Sequence, residues 1–423
     1  MKGKSMFRRF FFSMCLALVL GLLAQSALAE DWPQFRGPGS LGISQATNLP
    51  VTWSDTENLI WKTAMPGSGS SSPIALGDKL YLTCYSGYGL DQDGGSLQDL
   101  ALHLVCINGS NGSIIWDKKI KAAQPESSRV RDHGYAAQTP ATDGRNLYVF
   151  FGRSGVFKFD LNGEQIWRTS VGTKTHGWGS GTSPVLYKNL VIVNASVESG
   201  SLVAIDKESG QVKWRAEGMK SSWNTPHLVE TADGKQELAV TVKGWVLAFD
   251  PASGEQLWKC EAIDDYICPS IVSHKGILYA VGGRRSQTVA IRSSGRGDVT
   301  NTHKLWQADV GANVSSPIVH DGHLYWTSDR NKTSYCLSLD DGSIKYAEDI
   351  RIDPYASTLL ADGRLYVVTR YGGTLVLAAK PQFEQLAHNK LADKTVFNAS
   401  PIVCNGNLIL RSNKNLYCFG KNN

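Results

Sequence analysis

Apolar residues fall in short runs closed by Gly, Asp or Asn, and the stretch Ser201 to Trp214 (SLVAIDKESGQVKW) shows the unit most plainly. Ser-Leu-Val-Ala-Ile reads as a strand, Asp206 and Gly210 as the turn, and Gln-Val-Lys-Trp as the returning strand. Copies recur. Gly112 to Trp116, Gly163 to Trp167, Gly254 to Trp258 and Gly342 to Tyr346 keep the glycine-to-aromatic spacing; Trp306 fills the place behind an insertion (RSSGRGDVTNTHK), and Leu386 is a weak copy. Two further patterns precede each copy. One is a small polar residue, proline and an apolar run, at Pro73, Pro140, Pro184, Pro226, Pro317 and Pro401, with Pro269 one residue early and Thr358 in the proline position. The other is a Gly-containing hairpin such as GDKLY, DGHLY or DGRLY.

Eight starts, mostly 40 to 48 residues apart, each leading four short strands, predict an all-β fold. The expected architecture is an eight-bladed β-propeller of four-stranded antiparallel blades. The last start runs out of chain at LYCFG, while NLIW, ending in Trp61, precedes the first start with no strand before it. The N-terminal strand is therefore expected to complete the last blade and close the ring. Each tryptophan is expected to wedge between neighbouring blades with its N–H on an acceptor. On this reading residues 53–423 form the propeller, 30–52 an N-terminal extension, and 1–29 something else.

Charge identifies that remaining segment. Lys2, Lys4, Arg8 and Arg9 precede the apolar run Phe10 to Ala24, and Ala27-Leu28-Ala29 matches a small-x-small cleavage site, the pattern of a secretory signal peptide. The run is too short to favour a membrane span. The expectation is an exported, periplasmic or secreted monomer without a transmembrane segment. Cleavage removes four of the 43 basic residues, leaving 39 against 38 acidic ones, so nucleic-acid binding has no electrostatic footprint. Cys106, Cys336 and Cys418 stand where other copies have Ala204, Ala248 and Ala290, a slot for a small apolar side chain. Cys260 and Cys268 flank one inter-blade loop and are candidates for a disulfide. No Cys-x-x-Cys or paired Cys/His spacing marks a metal site, and no metal is expected.

The Asp/Asn…Gly-x-x-x-Trp unit resembles the tryptophan-docking repeat of the PQQ-like propellers, a family that includes quinoprotein alcohol dehydrogenases and the outer-membrane assembly lipoprotein BamB. The resemblance covers roughly Trp53 to the C-terminus, and the opening DWPQFRGPGSLGIS is similar to the N-termini of secreted bacterial proteins of this class. It implies either an envelope scaffold that holds protein partners or a funnel for pyrroloquinoline quinone (PQQ) and Ca²⁺ with an aspartate as base. Asp265 and Asp353 are the aspartates on hand. The adjacent Cys-Cys pair and the Cys-x-x-Cys-His haem site of the enzymes are absent, as is the lipid-anchor cysteine of BamB.

Candidate chemistry sits in the loops before each proline, which a propeller brings to one mouth of its channel. They carry Arg131, Asp132, His133 and Tyr135, then His176 and Trp178, Trp223 and Asn224, Tyr266, Tyr355, Phe397 and Asn398. Two consecutive loops share His-Gly-aromatic, which nothing in the repeat requires. Such a ring suits a small-ligand pocket or a protein-binding rim. The plainer reading is that aromatics plug the channel while small polar residues satisfy strand-end N–H groups. The leading expectation is a non-enzymatic binding or assembly scaffold with an envelope or extracellular protein partner and no resident cofactor. A PQQ-dependent oxidoreductase and a carbohydrate-binding propeller are the alternatives. An open mouth favours a small ligand, and a mouth filled by Trp178, Trp223 and Tyr266 favours the scaffold.

Overall fold

The computed structural model describes residues 30–89, 95–131 and 133–421; the segment 1–29 read as a signal peptide, and Asp132, lie outside the described residues. Eight antiparallel four-stranded sheets form, one of them with a fifth strand added at its outer edge. Blade 1 shows the plan, with Ile74–Leu76, Lys79–Ser86, Ala101–Asn108 and Ile114–Lys121 following one another from the channel outward. Blades 2 to 7 occupy 141–169, 185–217, 227–261, 272–308, 318–349 and 359–389. Blade 8 comprises Ile402–Cys404, Asn407–Arg411 and Asn415–Phe419, and its outer strand is Leu59–Ala64 from the other end of the described chain. The expected ring closure is therefore present. Among the described residues no helix is long and apolar enough to cross a membrane.

The second and third strands of a blade are covered on both faces and read as nearly continuous apolar runs, as in Leu190–Ala195 and Ser201–Asp206. The outer strand is covered on one face, and Val212–Glu217 buries only Trp214 and Ala216. Third and outer strands slip register at one recurring place, just beyond the docking residue. Such a bulge bends the strand and re-aims its side chains. Opposite the docking residue stands the small slot: Ala204 faces Trp214, Ala248 faces Trp258, Cys106 faces Trp116, Cys336 faces Tyr346 and Cys418 faces Trp61. These three cysteines are packed, free thiols. Blade 2 departs from the pattern, because Lys158 faces Trp167; its ammonium group is satisfied by the Lys207 carbonyl at 2.8 Å.

Docking takes place between blades. The indole N–H of Trp61 donates to Gly109 O at 2.9 Å, Trp167 to Lys207 O at 2.9 Å, Trp214 to Pro251 O at 3.3 Å and Trp306 to Leu339 O at 2.8 Å, each in the next blade. The repeat glycine is required by the same contact. Gly254 has φ +76°, and a Cβ there would fall 2.5 Å from Trp214 Cε3, so the indole lies flat on the bare backbone. Trp258 is the exception: the insertion 293–303 replaces the next blade's turn, and its N–H donates instead to Glu237 Oε2 at 2.8 Å in its own blade. Part of that insertion, Gly297–Asp298, pairs in parallel with the outer strand of blade 4.

The N-terminal extension crosses the end of the channel opposite the mouth. Trp32 pairs with Ala75 of blade 1, Pro33 O accepts from Thr142 N of blade 2, and Gly42 and Ser44 pair with Leu360 of blade 7. Trp32 is buried and Phe35 points up into the channel cavity. The channel is thus a funnel closed at its base by 31–48.

Candidate functional site

The small polar residue before each proline forms a closed collar. Ser72 N donates to Thr139 Oγ1, Thr139 N to Ser183 Oγ, Ser183 N to Thr225 Oγ1 and Thr225 N to Ser270 Oγ. Ser270 N then donates to Ser316 Oγ, Ser316 N to Ser357 Oγ, Ser357 N to Ser400 Oγ, and Ser400 N back to Ser72 Oγ. All eight distances are 3.0–3.1 Å. Each blade's strand-start N–H is an edge group facing the channel with no strand to pair with, and the neighbouring hydroxyl satisfies it. The plainer reading of these residues holds. It also corrects the place of Pro269: Ser270 is the collar residue of blade 5 and Ile271 takes the proline's place, so Pro269 stands two residues early and not one.

Above the collar the mouth is open. A cavity of about 340 Å³ runs from Phe35 to the rim, within the range of small-molecule sites. Trp178, Trp223 and Tyr266 do not plug it; they pack as a tilted cluster in its lining, with ring centroids 4.8 Å apart for Trp178–Tyr266 and 5.3 Å for Trp178–Trp223. The Arg284 guanidinium lies over both Tyr266 (5.0 Å) and Trp178 (5.6 Å), and its Nε donates to Tyr266 Oη at 3.0 Å. Tyr266 Oη in turn donates to Asn313 Oδ1. Across the cavity Arg370 lies over Tyr355 at 4.6 Å. Arg131, His133 and Asn398 complete the predicted residues that face this space.

The other predicted residues are placed elsewhere. Asn224 is 1% exposed and ties its own blade together, donating to Thr241 O at 2.7 Å and Ser222 Oγ at 3.0 Å; a buried amide is held by its backbone partners and is unavailable to a ligand. Tyr135 packs edge-on against Tyr85 and donates to Ser127 O at 2.6 Å, behind the cavity wall. His176 is exposed, lies outside the cavity lining and meets Trp223 edge-on at 5.1 Å. The doubled His-Gly-aromatic motif is therefore not a doubled structure: in one loop the histidine faces the cavity, in the other the tryptophan does. Cys260 lies in the core beside Trp258 while Cys268 lines the cavity, so the disulfide suggested by their spacing does not form. Burial pushes the Cys268 thiol up to about 12, which keeps it neutral. Asp265 accepts from Arg284 N and Arg285 N, Asp353 pairs with Lys332 at 3.0 Å, and neither lines the cavity.

Three charged lining residues were missed in the sequence: Arg284, Asp329 and Arg370. They lie in the turns between second and third strands, which in a four-stranded antiparallel blade emerge at the same end as the pre-proline loops. Counting strand directions would have found them. The described lining thus holds three arginines and one histidine against one carboxylate, Asp329. That carboxylate is itself engaged, accepting Asn313 N–H at 3.2 Å and Nδ2–H at 3.1 Å. Ca²⁺, which takes six to eight oxygen ligands and favours carboxylates, does not fit this donor set. Among the described residues no three His, Cys, Asp or Glu side chains are grouped to hold a metal ion.

Fold and site together define a tryptophan-docked eight-bladed propeller with an open, cationic, aromatic-walled mouth. Its family is shown by the match of residues 103–348 to the family described as outer membrane protein assembly factor BamB, and the chain belongs to that family of PQQ-like propellers. BamB from Moraxella catarrhalis superposes with a TM-score of 0.61 at 14% identity, covering 86% of this chain and 97% of that one. Quinohemoprotein alcohol dehydrogenase from Comamonas testosteroni superposes at 0.65 and 11% identity, covering 93% and 81%. At these identities the likeness is one of fold alone. Tetrathionate hydrolase from Acidithiobacillus ferrooxidans is 23% identical over 304 residues, 64% of this chain. The match spans 57% of that relative's length.

Proposed function

We propose that this is an exported member of the BamB-like propellers that binds a small anionic molecule in its mouth cavity. The observation that carries the reading is the convergence of Arg131, Arg284 and Arg370 on one 340 Å³ space whose described lining contains a single carboxylate. Guanidinium groups present planar, always-charged donors suited to carboxylate, sulfonate or phosphate oxygens, and aromatic walls add stacking area and exclude water. The relative named as a tetrathionate hydrolase has an anionic substrate in its name, which supports an anion here without fixing which one. PQQ alone, a flat polycarboxylate, would find cationic and aromatic partners in this cavity, but the donors for its Ca²⁺ are missing, so no redox step is drawn from it. Neutral carbohydrate can accept hydrogen bonds from the arginines but brings no charge to pair with three guanidiniums.

The second reading is a protein-holding scaffold, favoured by the family match and by Tyr371, which is 66% exposed beside Arg370. A thermal-shift panel on residues 30–423 separates these readings. Tetrathionate, thiosulfate, sulfate, PQQ with and without Ca²⁺, and maltose are compared at fixed ionic strength. Saturable stabilisation by an anion, reduced in Arg284→Ala, supports the proposal. Stabilisation by maltose alone, or by none of the panel together with partner capture that needs Tyr371, overturns it. Ca²⁺-dependent PQQ binding with dye reduction would reinstate the oxidoreductase.

A further inference from the structure

Among the described residues two arginines are buried to 2% exposure, and their surroundings treat them differently. Arg411, in the second strand of blade 8, donates Nη1–H to Ser71 O (2.6 Å) and Ser71 Oγ (2.7 Å) and Nη2–H to Thr83 O (2.8 Å). It pins blade 8 to blade 1 at the seam of the ring, and only its Nε lacks a partner. Arg36 enters the channel from the segment that closes its base. Its Nη2 donates to Leu41 O at 3.0 Å and to Pro317 O of blade 6, but Nε and Nη1 have no acceptor. No carboxylate among the described residues pairs with it, and burial alone lowers its pKa to about 9, which leaves it charged at neutral pH.

Two further buried side chains on the channel side of blades 4 and 7 also have unmade hydrogen bonds. Thr358 of blade 7 is next to the guanidinium: a Cβ on Gly42 would lie 2.9 Å from Arg36 Nη2 and 3.1 Å from Thr358 O. The Thr358 hydroxyl is buried without a partner. His227 of blade 4 is 2% exposed; its Nε2 meets Ser273 Oγ at 2.8 Å, and its Nδ1 has no partner. Burial first, and then the Arg36 charge, lower its pKa to about 4, so the ring is neutral. In the tautomer whose Nε2 accepts from the serine hydroxyl, Nδ1 carries the proton and would donate to an anion. A buried guanidinium without a counter-charge and with unmade hydrogen bonds is costly, and the Thr358 hydroxyl and the His227 ring, neutral groups that can each donate, bring no negative charge to offset it. What this arrangement lacks is an acceptor carrying one negative charge.

We propose that the channel beneath the collar holds a small monovalent inorganic anion of the halide class against Arg36, with His227 and Thr358 as its further donors. The ion would neutralise the segment that closes the funnel and lock it to blades 4, 6 and 7. Arg36, His227 and Thr358 do not line the mouth cavity, although the adjoining Phe35 and Ser357 do, and the site stands whether or not the mouth binds an anion.

Two measurements test it on residues 30–423. Crystals soaked in sodium bromide are expected to show an anomalous peak within hydrogen-bond reach of Arg36; bromide at the surface only, or water at that position, overturns the proposal. Thermal unfolding is compared in sodium chloride and sodium gluconate at equal ionic strength. A higher midpoint in chloride is expected, rising with its concentration as ligand linkage requires. That dependence should disappear in Arg36→Met and weaken several-fold in the double variant His227→Phe/Thr358→Val, which keeps Arg36 should the methionine variant fail to fold. It should persist in Arg284→Ala/Arg370→Ala, where the mouth is altered. A chloride effect abolished by the mouth variant, or untouched by the channel variants, counts against the site.

Discussion

The outer ring of the propeller and the rim of its mouth are built from the same eight repeats and follow opposite rules. In the outer ring most blades meet one geometric demand with one answer: an aromatic lies on the next blade's bare glycine, faces a small residue across its own strand pair, and is seated by a bulge beside it, blade 7 with Ala387 in the docking place being the blade without an aromatic. The exceptions are compensated locally, as where Glu237 receives the Trp258 N–H because an insertion has removed the usual carbonyl. At the rim the eight loops share nothing beyond the collar hydroxyl that ends each of them. Above that collar sit an arginine over aromatics on one wall, another arginine over a tyrosine on the opposite wall, and a single engaged aspartate. The collar is the boundary between the part of the chain that specifies the fold and the part free to specify a ligand.

If that division is right, changes below and above the collar should separate stability from binding. The largest stability loss is expected at Trp258→Ala, which empties a fully buried indole site and removes one of the hydrogen bonds to the Glu237 carboxylate; about 3–5 kcal/mol should be lost in denaturant unfolding, with anion affinity of the folded fraction unchanged. Glu198→Gln comes next; it lies in a mouth-end turn behind the cavity wall, so it is a pH experiment and not a test of the division at the collar. Glu198 is 2% exposed, its Oε1 accepts from Ser180 of the mouth loop, and burial raises its pKa to about 7. A raised carboxyl favours the protonated folded state, so wild-type stability should fall as pH rises from the unfolded value near 4.5 through 7, by up to about 3 kcal/mol. The glutamine variant should lack that slope in unfolding curves taken at pH 5 and pH 8. Gly254→Ala combines a positive φ with contact on Trp214, and a loss of about 1–3 kcal/mol is expected, again without effect on binding. Above the collar the pattern reverses. Arg370→Ala should weaken anion binding by roughly tenfold, or about 1.4 kcal/mol, while shifting stability by less than about 0.5 kcal/mol. A mouth substitution that unfolds the protein, or a docking substitution that selectively abolishes binding, would break the comparison.

The same boundary marks how far the sequence could be read. The repeat below the collar was legible because spacing, glycine and tryptophan recur, and the missing strand at each end of the pattern identified the ring closure through Trp61 and Cys418. The alanine slot accounted for three cysteines for the reason now visible, a side chain pressed beside an indole. Of the mouth residues, Trp178, Trp223, Tyr266, Tyr355, Arg131, His133 and Asn398 were found because their loops end in the repeat. Asn224 was misjudged, since a residue two places before a proline points either to the channel or back into its own blade, and sequence does not distinguish the two. Arg284 and Arg370 were overlooked because they belong to hairpin turns that look like ordinary polar loops until strand directions are counted. The extension 30–52 offered no periodicity at all; its Trp32, Phe35 and Arg36 take their places only against a channel already built by the rest of the chain.

The central claim is that the cationic mouth is a binding site. Isothermal titration of residues 30–423 with tetrathionate as the probe dianion, run on the wild type and on Arg284→Ala/Arg370→Ala at two salt concentrations, tests it most directly. The account predicts one-site binding that weakens with salt and falls by roughly a hundredfold in the double variant, whose unfolding curve is otherwise unchanged. Equal heats in both proteins, or no saturable binding in the wild type at low salt, would contradict it.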